Sequence, residues 1–234
     1  MGKAQKTALV LGATGLTGGF CLQYLLESEC YGRVIGLGNQ IVDIKHPKLT
    51  QIAVDFYNTA AMEAYYIGVD DVFCCLGTTV KDAGGQSAFR RVDFHIPTEA
   101  ANMASGHGVK QFLAISSSGA DNRSSDFYLR VKGELEKGIA QFNFKAIHLF
   151  RPSGLIGPNG EEEGNSAENG KLINRLLSPF MSKESSRGKP IEASLVATAM
   201  VNAAQLDATG ENFYGTNQIK RLASRKVPCE TIGE

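Results

Sequence analysis

The chain has 234 residues, with 24 basic and 24 acidic side chains and a formal net charge of zero. A chain of this mass buries about 70% of its extended surface on folding, enough for one substantial core without disulfide or metal staples. Hydrophobic content of 43% and charged content of 21% exclude a disordered chain. Zero net charge argues against a nucleic-acid partner held by a global field.

Short β-type runs alternate with longer helix-like stretches, the pattern of βα units around a parallel sheet. Strands are expected at Thr7–Gly12, Arg33–Leu37, Gln51–Val54, Asp71–Leu76, Gln111–Ser116 and Ala146–Phe150. These runs are continuously apolar rather than alternating, as in strands covered on both faces. Helices are expected at Leu16–Ser28, Ser87–Ser105, Ser125–Phe142, Lys171–Leu177 and Ala193–Leu206. Residues 1–156 therefore read as one α/β core. Residues 157–222 read as a lid loop and small helical cap integrated with that core, and 223–234 as a polar tail.

The five cysteines are Cys21, Cys30, Cys74, Cys75 and Cys229. Their odd number, the lack of any Cys-x-x-Cys and the lack of a secretory leader predict a reduced, cytoplasmic chain. No run approaches the length of a membrane-spanning helix. Lys6 stands where a myristoylation motif needs Ser or Thr. No membrane partner is expected. The four histidines are scattered away from cysteines and carboxylates, so no metal site is expected. The sequence sets no oligomeric state.

The first strand runs directly into Gly12-Ala13-Thr14-Gly15-Leu16-Thr17-Gly18, and a helix follows. A strand, a glycine turn and a helix form the context of a dinucleotide fingerprint. Gly12 permits the turn, Gly15 lets the backbone approach a pyrophosphate, and Gly18 lets the helix pack against the strand. The helix N-terminus then offers free N–H groups and partial positive charge to the phosphates. A Walker A reading fails because no Gly-Lys-Ser/Thr follows. The second strand ends at Gly38-Asn39-Gln40, without the carboxylate that selects a free ribose 2′-hydroxyl. NADP(H) is therefore preferred over NAD(H), although no Arg stands there to grip a 2′-phosphate.

Of seven tyrosines, only Tyr128 has a lysine, Lys132, four residues on, which puts both on one helix face. A nearby ammonium favours the phenolate and moves a tyrosine towards acid–base use. Ser116, Ser117 and Ser118 end the preceding strand, where α/β sheets open their ligand crevice.

In these features the chain resembles the short-chain dehydrogenases/reductases of the extended or atypical kind, and more narrowly the Tat-interacting-protein-like oxidoreductases and their bacterial relatives. The resemblance is carried by the glycine turn, by Cys74-Cys75-Leu76-Gly77-Thr78-Thr79, by Ala88-Phe89-Arg90-Arg91-Val92-Asp93, by Ser116-Ser117, by Tyr128 with Lys132-Gly133-Glu134, and by Arg151-Pro152. It implies a Rossmann-type, doubly wound parallel sheet that binds NADP(H). It also implies a catalytic set of Ser117, Tyr128 and Lys132, with Lys132 touching the nicotinamide ribose. The cofactor contacts it implies are Gly12, Thr14, Gly15, Leu16, Thr17, Gly18, Asn39, Asp55, Leu76, Gly77 and Thr78, with Asp55 near the adenine and 76–78 along the ribose.

The chain departs from the resemblance at Glu161-Glu162-Glu163, where relatives place arginines, so the substrate pocket does not transfer. The expected activity is NADP(H)-dependent reduction of a small carbonyl, or oxidation of its alcohol. The alternative is an NADP(H)-sensing regulator that binds a protein partner. Epimerase or dehydratase chemistry on a sugar nucleotide ranks below both, because the part after Phe150 is short.

Overall fold

The computed structural model describes residues 5–157 and 189–229. The lid expected from Gly157 to Gly170 and the helix expected at Lys171–Leu177 lie, but for Gly157, outside the described residues. The chain forms β1 (Lys6–Leu11), α1 (Leu16–Glu27), β2 (Tyr31–Gly38), β3 (Leu49–Ala53), a 3-10 helix (Thr59–Tyr66) and β4 (Asp71–Cys74). Next come α2 (Gln86–Arg90), a π-turn (Arg91–His95), α3 (Ile96–Gly106), β5 (Gln111–Ile115), α4 (Phe127–Ile139) and β6 (Ala146–Arg151). After β7 (Leu155–Ile156), the described chain resumes with β8 (Ile191–Glu192), α5 (Ala193–Ala203), β9 (Gly210–Gly215) and α6 (Thr216–Ala223).

Seven strands form one sheet in the order β3-β2-β1-β4-β5-β6-β9. Every neighbouring pair in it is parallel. This is the Rossmann-type, doubly wound architecture that the sequence predicts. The strand order reverses between β1 and β4, and the crevice at such a switch point is where open α/β sheets hold ligands. Strand β1 shows why its run is continuously apolar. Ala8 and Val10 join a core against α1, α5 and α6, whereas Leu9 and Leu11 join one against the 3-10 helix, α3 and α4. All four are fully buried.

The C-terminal region belongs to this body. Strand β9 pairs along β6 from Ala146↔Gly210 to Arg151↔Gly215, and Ile191, Val196 and Met200 share the α1-side core. Strand β9 does not show in the sequence. Its run Gly-Glu-Asn-Phe-Tyr-Gly is polar and glycine-flanked because an edge strand buries little.

The expectation of a fully reduced chain is corrected at one pair: Cys30 and Cys229 form a disulfide, with Cα atoms 5.2 Å apart. Their separation of 199 residues hides the pair in the sequence. The fold brings the turn before β2 beside the segment after α6. Cys21, Cys74 and Cys75 remain thiols.

At the N-terminal end of the sheet, opposite the crevice, the first residues of four strands make a buried polar network. Tyr31 Oη donates to Asp71 Oδ2 at 2.7 Å, and Lys6 Nζ lies 3.3 Å from the same oxygen. Gln111 Nε2 donates to Asp71 Oδ1 at 3.0 Å, which leaves Gln111 Oε1 facing His148 Nε2, also at 3.0 Å. His148 therefore donates from Nε2, and its Nδ1 accepts from Tyr214 Oη at 3.0 Å. Burial, with the Lys6 charge nearby, pushes the His148 imidazole down from 6.5 to about 4. The native state then refuses a proton that the unfolded chain takes up below about pH 6.5. Stability is full above that value and falls as pH drops towards 4, by at most about 1.4 kcal/mol per pH unit for this group. Urea unfolding between pH 7 and 4 should show this slope in the wild type and a shallower one in His148→Gln.

Candidate functional site

The glycine turn opens directly from β1. Gly12 takes φ +79°, and its N–H donates to the Leu37 carbonyl at 2.9 Å, so the turn is sewn to the end of β2. Helix α1 then crosses back over the turn. A Cβ on Gly18 would stand 2.0 Å from the Gly12 carbonyl oxygen, so only glycine permits this approach. The N-terminus of α1 is thereby held at the sheet end, and Gly15, Leu16 and Thr17 form one wall of a cleft.

The second wall follows β4, where Cys75, Leu76, Gly77 and Thr78 line the cleft. Cys75 Sγ contacts Cys21 Sγ at 3.8 Å. That hydrogen bond, and then burial, push the Cys75 thiol well up. Burial likewise lifts the Cys74 thiol from 9.0 to about 12. Both stay protonated thiols at neutral pH, which removes them as nucleophiles.

The third wall comes from β5 and α4. Asp126 caps α4, its Oδ1 accepting from the Leu129 N–H at 3.0 Å. This starts the helix so that Tyr128 sits in the first turn and Lys132 one turn later. Both line the cleft. Gly133 presses α4 onto the 121–122 backbone; a Cβ there would lie 2.1 Å from Asn122 N. The Tyr128 ring packs on Phe89 at 5.7 Å between centroids, and Lys132 Nζ stands 6.0 Å from the Tyr128 ring centroid.

Two charged groups at this wall carry no assignment in the sequence reading. Asp93, 1% exposed, reaches Lys132 Nζ with Oδ1 at 2.7 Å, while Oδ2 accepts the Thr78 N–H at 2.9 Å. It comes from the π-turn between α2 and α3. Pro97 follows four residues later and has no N–H for the Asp93 carbonyl, so the helical ladder is interrupted there. The sequence shows only a lone acid in a helical stretch, which is a weak signal. The other group is Glu136. It accepts from Ser116 Oγ at 2.5 Å and from Arg151 Nε at 2.8 Å, and Arg151 also donates through its Nη2.

The expected site residues divide accordingly. Gly15, Leu16, Thr17, Leu76, Gly77, Thr78, Tyr128 and Lys132 share the cleft, while Gly12 and Gly18 build the turn beneath it. Thr14 Oγ1 donates to Asn39 Oδ1 at 3.1 Å beyond the end of β2, outside the cleft wall. Asp55 Oδ1 accepts from the Tyr57 N–H at 2.9 Å and closes a turn after β3, also outside it. Among the three serines, Ser116 lines the cleft and Ser117 does not; Ser117 Oγ turns to the Ser118 carbonyl at 3.4 Å. Among the described residues, no three His, Cys, Asp or Glu side chains gather to hold a metal ion, and no helix is long and apolar enough to cross a membrane.

A family described as NAD(P)H-binding matches residues 12–156. The chain belongs to that family. It is 32% identical over 227 residues to the mitochondrial protein FMP52-1 of Scheffersomyces stipitis, covering 92% of this chain and 98% of that one. It is 35% identical over 154 residues to the protein HTATIP2 of Rattus norvegicus, which covers 64% of this chain and 63% of the rat protein. Among solved structures, MoeE5 in complex with UDP-glucose and NAD superposes with a TM-score of 0.66, covering 93% of this chain and 81% of that chain. At 16% identity this likeness shows the fold alone. The expectation of a cytoplasmic chain is corrected here, because fungal relatives are named as mitochondrial proteins. Cysteine count and composition do not distinguish the cytosol from the mitochondrion.

The two neighbouring glycines of α1 separate packing from propensity. Gly18→Ala should lower stability by roughly 1–3 kcal/mol through its clash with Gly12. At Gly19 a Cβ would meet only Ala13 O at 3.8 Å, so Gly19→Ala should be neutral or stabilising by up to about 1 kcal/mol. Guanidinium unfolding of both variants checks the contrast.

Proposed function

We propose that the protein is an NADP(H)-dependent oxidoreductase of the short-chain dehydrogenase/reductase type, acting on a small carbonyl compound or its alcohol. One observation carries the reading: Tyr128 and Lys132 stand in the same cleft as the glycine turn and the 76–78 loop, at the switch point of the sheet. The residues fit a dinucleotide. The start of α1 presents its unsatisfied N–H groups to the cleft beside Gly15, which adds no side chain to the wall. The loop from Leu76 to Thr78 would run along the ribose. The end of β2, Gly38-Asn39-Gln40, carries no carboxylate of its own, which supports NADP(H) over NAD(H).

When bound, the dinucleotide supplies or accepts a hydride at its nicotinamide ring. The protein handles the proton. Tyr128 gives its hydroxyl proton to the substrate oxygen during reduction and takes it back during oxidation. Lys132 stays charged beside it and stabilises the phenolate that Tyr128 becomes. Ser116, rather than Ser117, is the serine positioned to meet the substrate oxygen. Its hydroxyl donates to Glu136 in this structure, and a rotation of the side chain would turn the same proton to the substrate oxygen beside Tyr128. The apolar wall of Leu16, Leu76, Ile115 and Leu155 keeps water from the reacting atoms.

Titration with NADPH and NADH, followed by nicotinamide fluorescence, should show binding of both with NADPH the tighter. Gly15→Asp, which sets a carboxylate in the cleft wall, should abolish both. In a carbonyl screen with NADPH, Tyr128→Phe should lose at least a hundredfold in turnover while its NADPH affinity stays within about threefold. Unchanged turnover in that variant would overturn the assignment.

A further inference from the structure

The chemistry above asks for a charged Lys132, and elementary electrostatics says that a buried lysine resists staying charged. Lys132 is 3% exposed, and moving an ammonium out of water favours its neutral form. Four elements face its Nζ. The π-turn brings Asp93 at 2.7 Å, α4 brings the Tyr128 phenol, β4 brings the Cys74 thiol, and β5 brings the Ile115 carbonyl at 3.4 Å. Of these groups Asp93 alone is a carboxylate. Its other oxygen is fixed by the Thr78 N–H, so one buried side chain spans the lysine and the loop expected to carry the ribose.

We propose that Asp93 is the positioning residue of this site, holding Lys132 charged within a dry wall and tying that charge to the 76–78 loop. The consequence is a cofactor grip that does not weaken as pH rises through the neutral range. The proposal rests on the dinucleotide reading of the cleft. Burial pulls the Lys132 ammonium down, but attraction to Asp93, with smaller help from Tyr128 and Cys74, outweighs it and leaves Lys132 above its ordinary range. Burial also pushes the Asp93 carboxyl up, against the pull of Lys132 and the Thr78 N–H. A structural ion pair would serve equally well anywhere in the core, and apolar residues often replace such pairs without loss. This pair instead lines the cleft on both sides of its contact.

The test uses Asp93→Asn, which keeps the shape and an acceptor for Thr78 but removes the charge, and Asp93→Glu as the conservative rescue. NADPH affinity is measured by fluorescence from pH 7 to 9.5. The Lys132 side chain is followed in the same proteins by 13C-lysine NMR, assigned with Lys132→Met. Wild type should hold NADPH within twofold across the range, with Lys132 charged throughout. Asp93→Asn should lose affinity progressively, at least tenfold by pH 9.5, while the Lys132 signal is neutral or titrates within the range. Asp93→Glu should recover part of the loss. A loss equal at every pH with Lys132 still charged, or no loss, overturns the proposal. If Asp93→Asn does not fold, the wild-type NMR titration decides: Lys132 should outlast the surface lysines, which lose their protons near pH 10.4, and earlier titration overturns the proposal. Failure of wild type to bind NADPH would instead refute the dinucleotide reading, and the lysine titration would still judge Asp93.

Discussion

Everything at the crevice depends on how closely α1 lies over the turn that launches it. The contact is between backbones, Gly18 over the Gly12 carbonyl, and it admits no side chain. Because interiors are packed like crystals, one missing Cβ sets the height of a whole helix above the sheet. That height puts the positive end of the α1 dipole at the mouth of the switch point between β1 and β4. The other two walls are placed by equally local devices. Sheet register carries the 75–78 loop up beside the turn, and the Asp126 cap sets where α4 begins and so where Tyr128 emerges.

The two ends of the sheet show opposite strategies for buried polar groups. At the N-terminal end, Lys6, Tyr31, Asp71, Gln111 and His148 satisfy one another and define a fixed set of donors and acceptors. None of these side chains lines the cleft at the switch point, and the network ties four strand starts to the end of α5 through the Ala204 carbonyl. At the C-terminal end, the Asp93–Lys132 ion pair and the Ser116–Glu136 hydrogen bond also pair buried groups, but Asp93, Lys132 and Ser116 line the cleft. The same rule that buried polar groups are paired therefore gives rigidity at one end and chemistry at the other.

Most of the sheet and the glycine turn are legible in the sequence because their signals are local: apolar runs, turn residues and a four-residue Tyr–Lys spacing. What stays hidden depends on contacts between distant parts. Asp93 reads as an ordinary helical acid until the π-turn rotates it inward onto Lys132. Ser116 and Ser117 are neighbours of one type, and only the strand's facing decides which reaches the cleft and which turns to backbone. Strand β9 is polar because edges are polar, so hydropathy passes over it. Thr14 and Asn39 are both visible, but their hydrogen bond across the ends of β1 and β2 is a property of the sheet alone.

The bond between Cys30 and Cys229 makes most of the chain a covalent ring. A single backbone cut at any point between those residues leaves two pieces still joined through the disulfide, which separate covalently only when it is reduced. In the chain-entropy picture, closing a loop of this length takes on the order of 5 kcal/mol of freedom from the unfolded state. The ring joins the first βα unit, which carries the glycine turn, to the segment that follows α6.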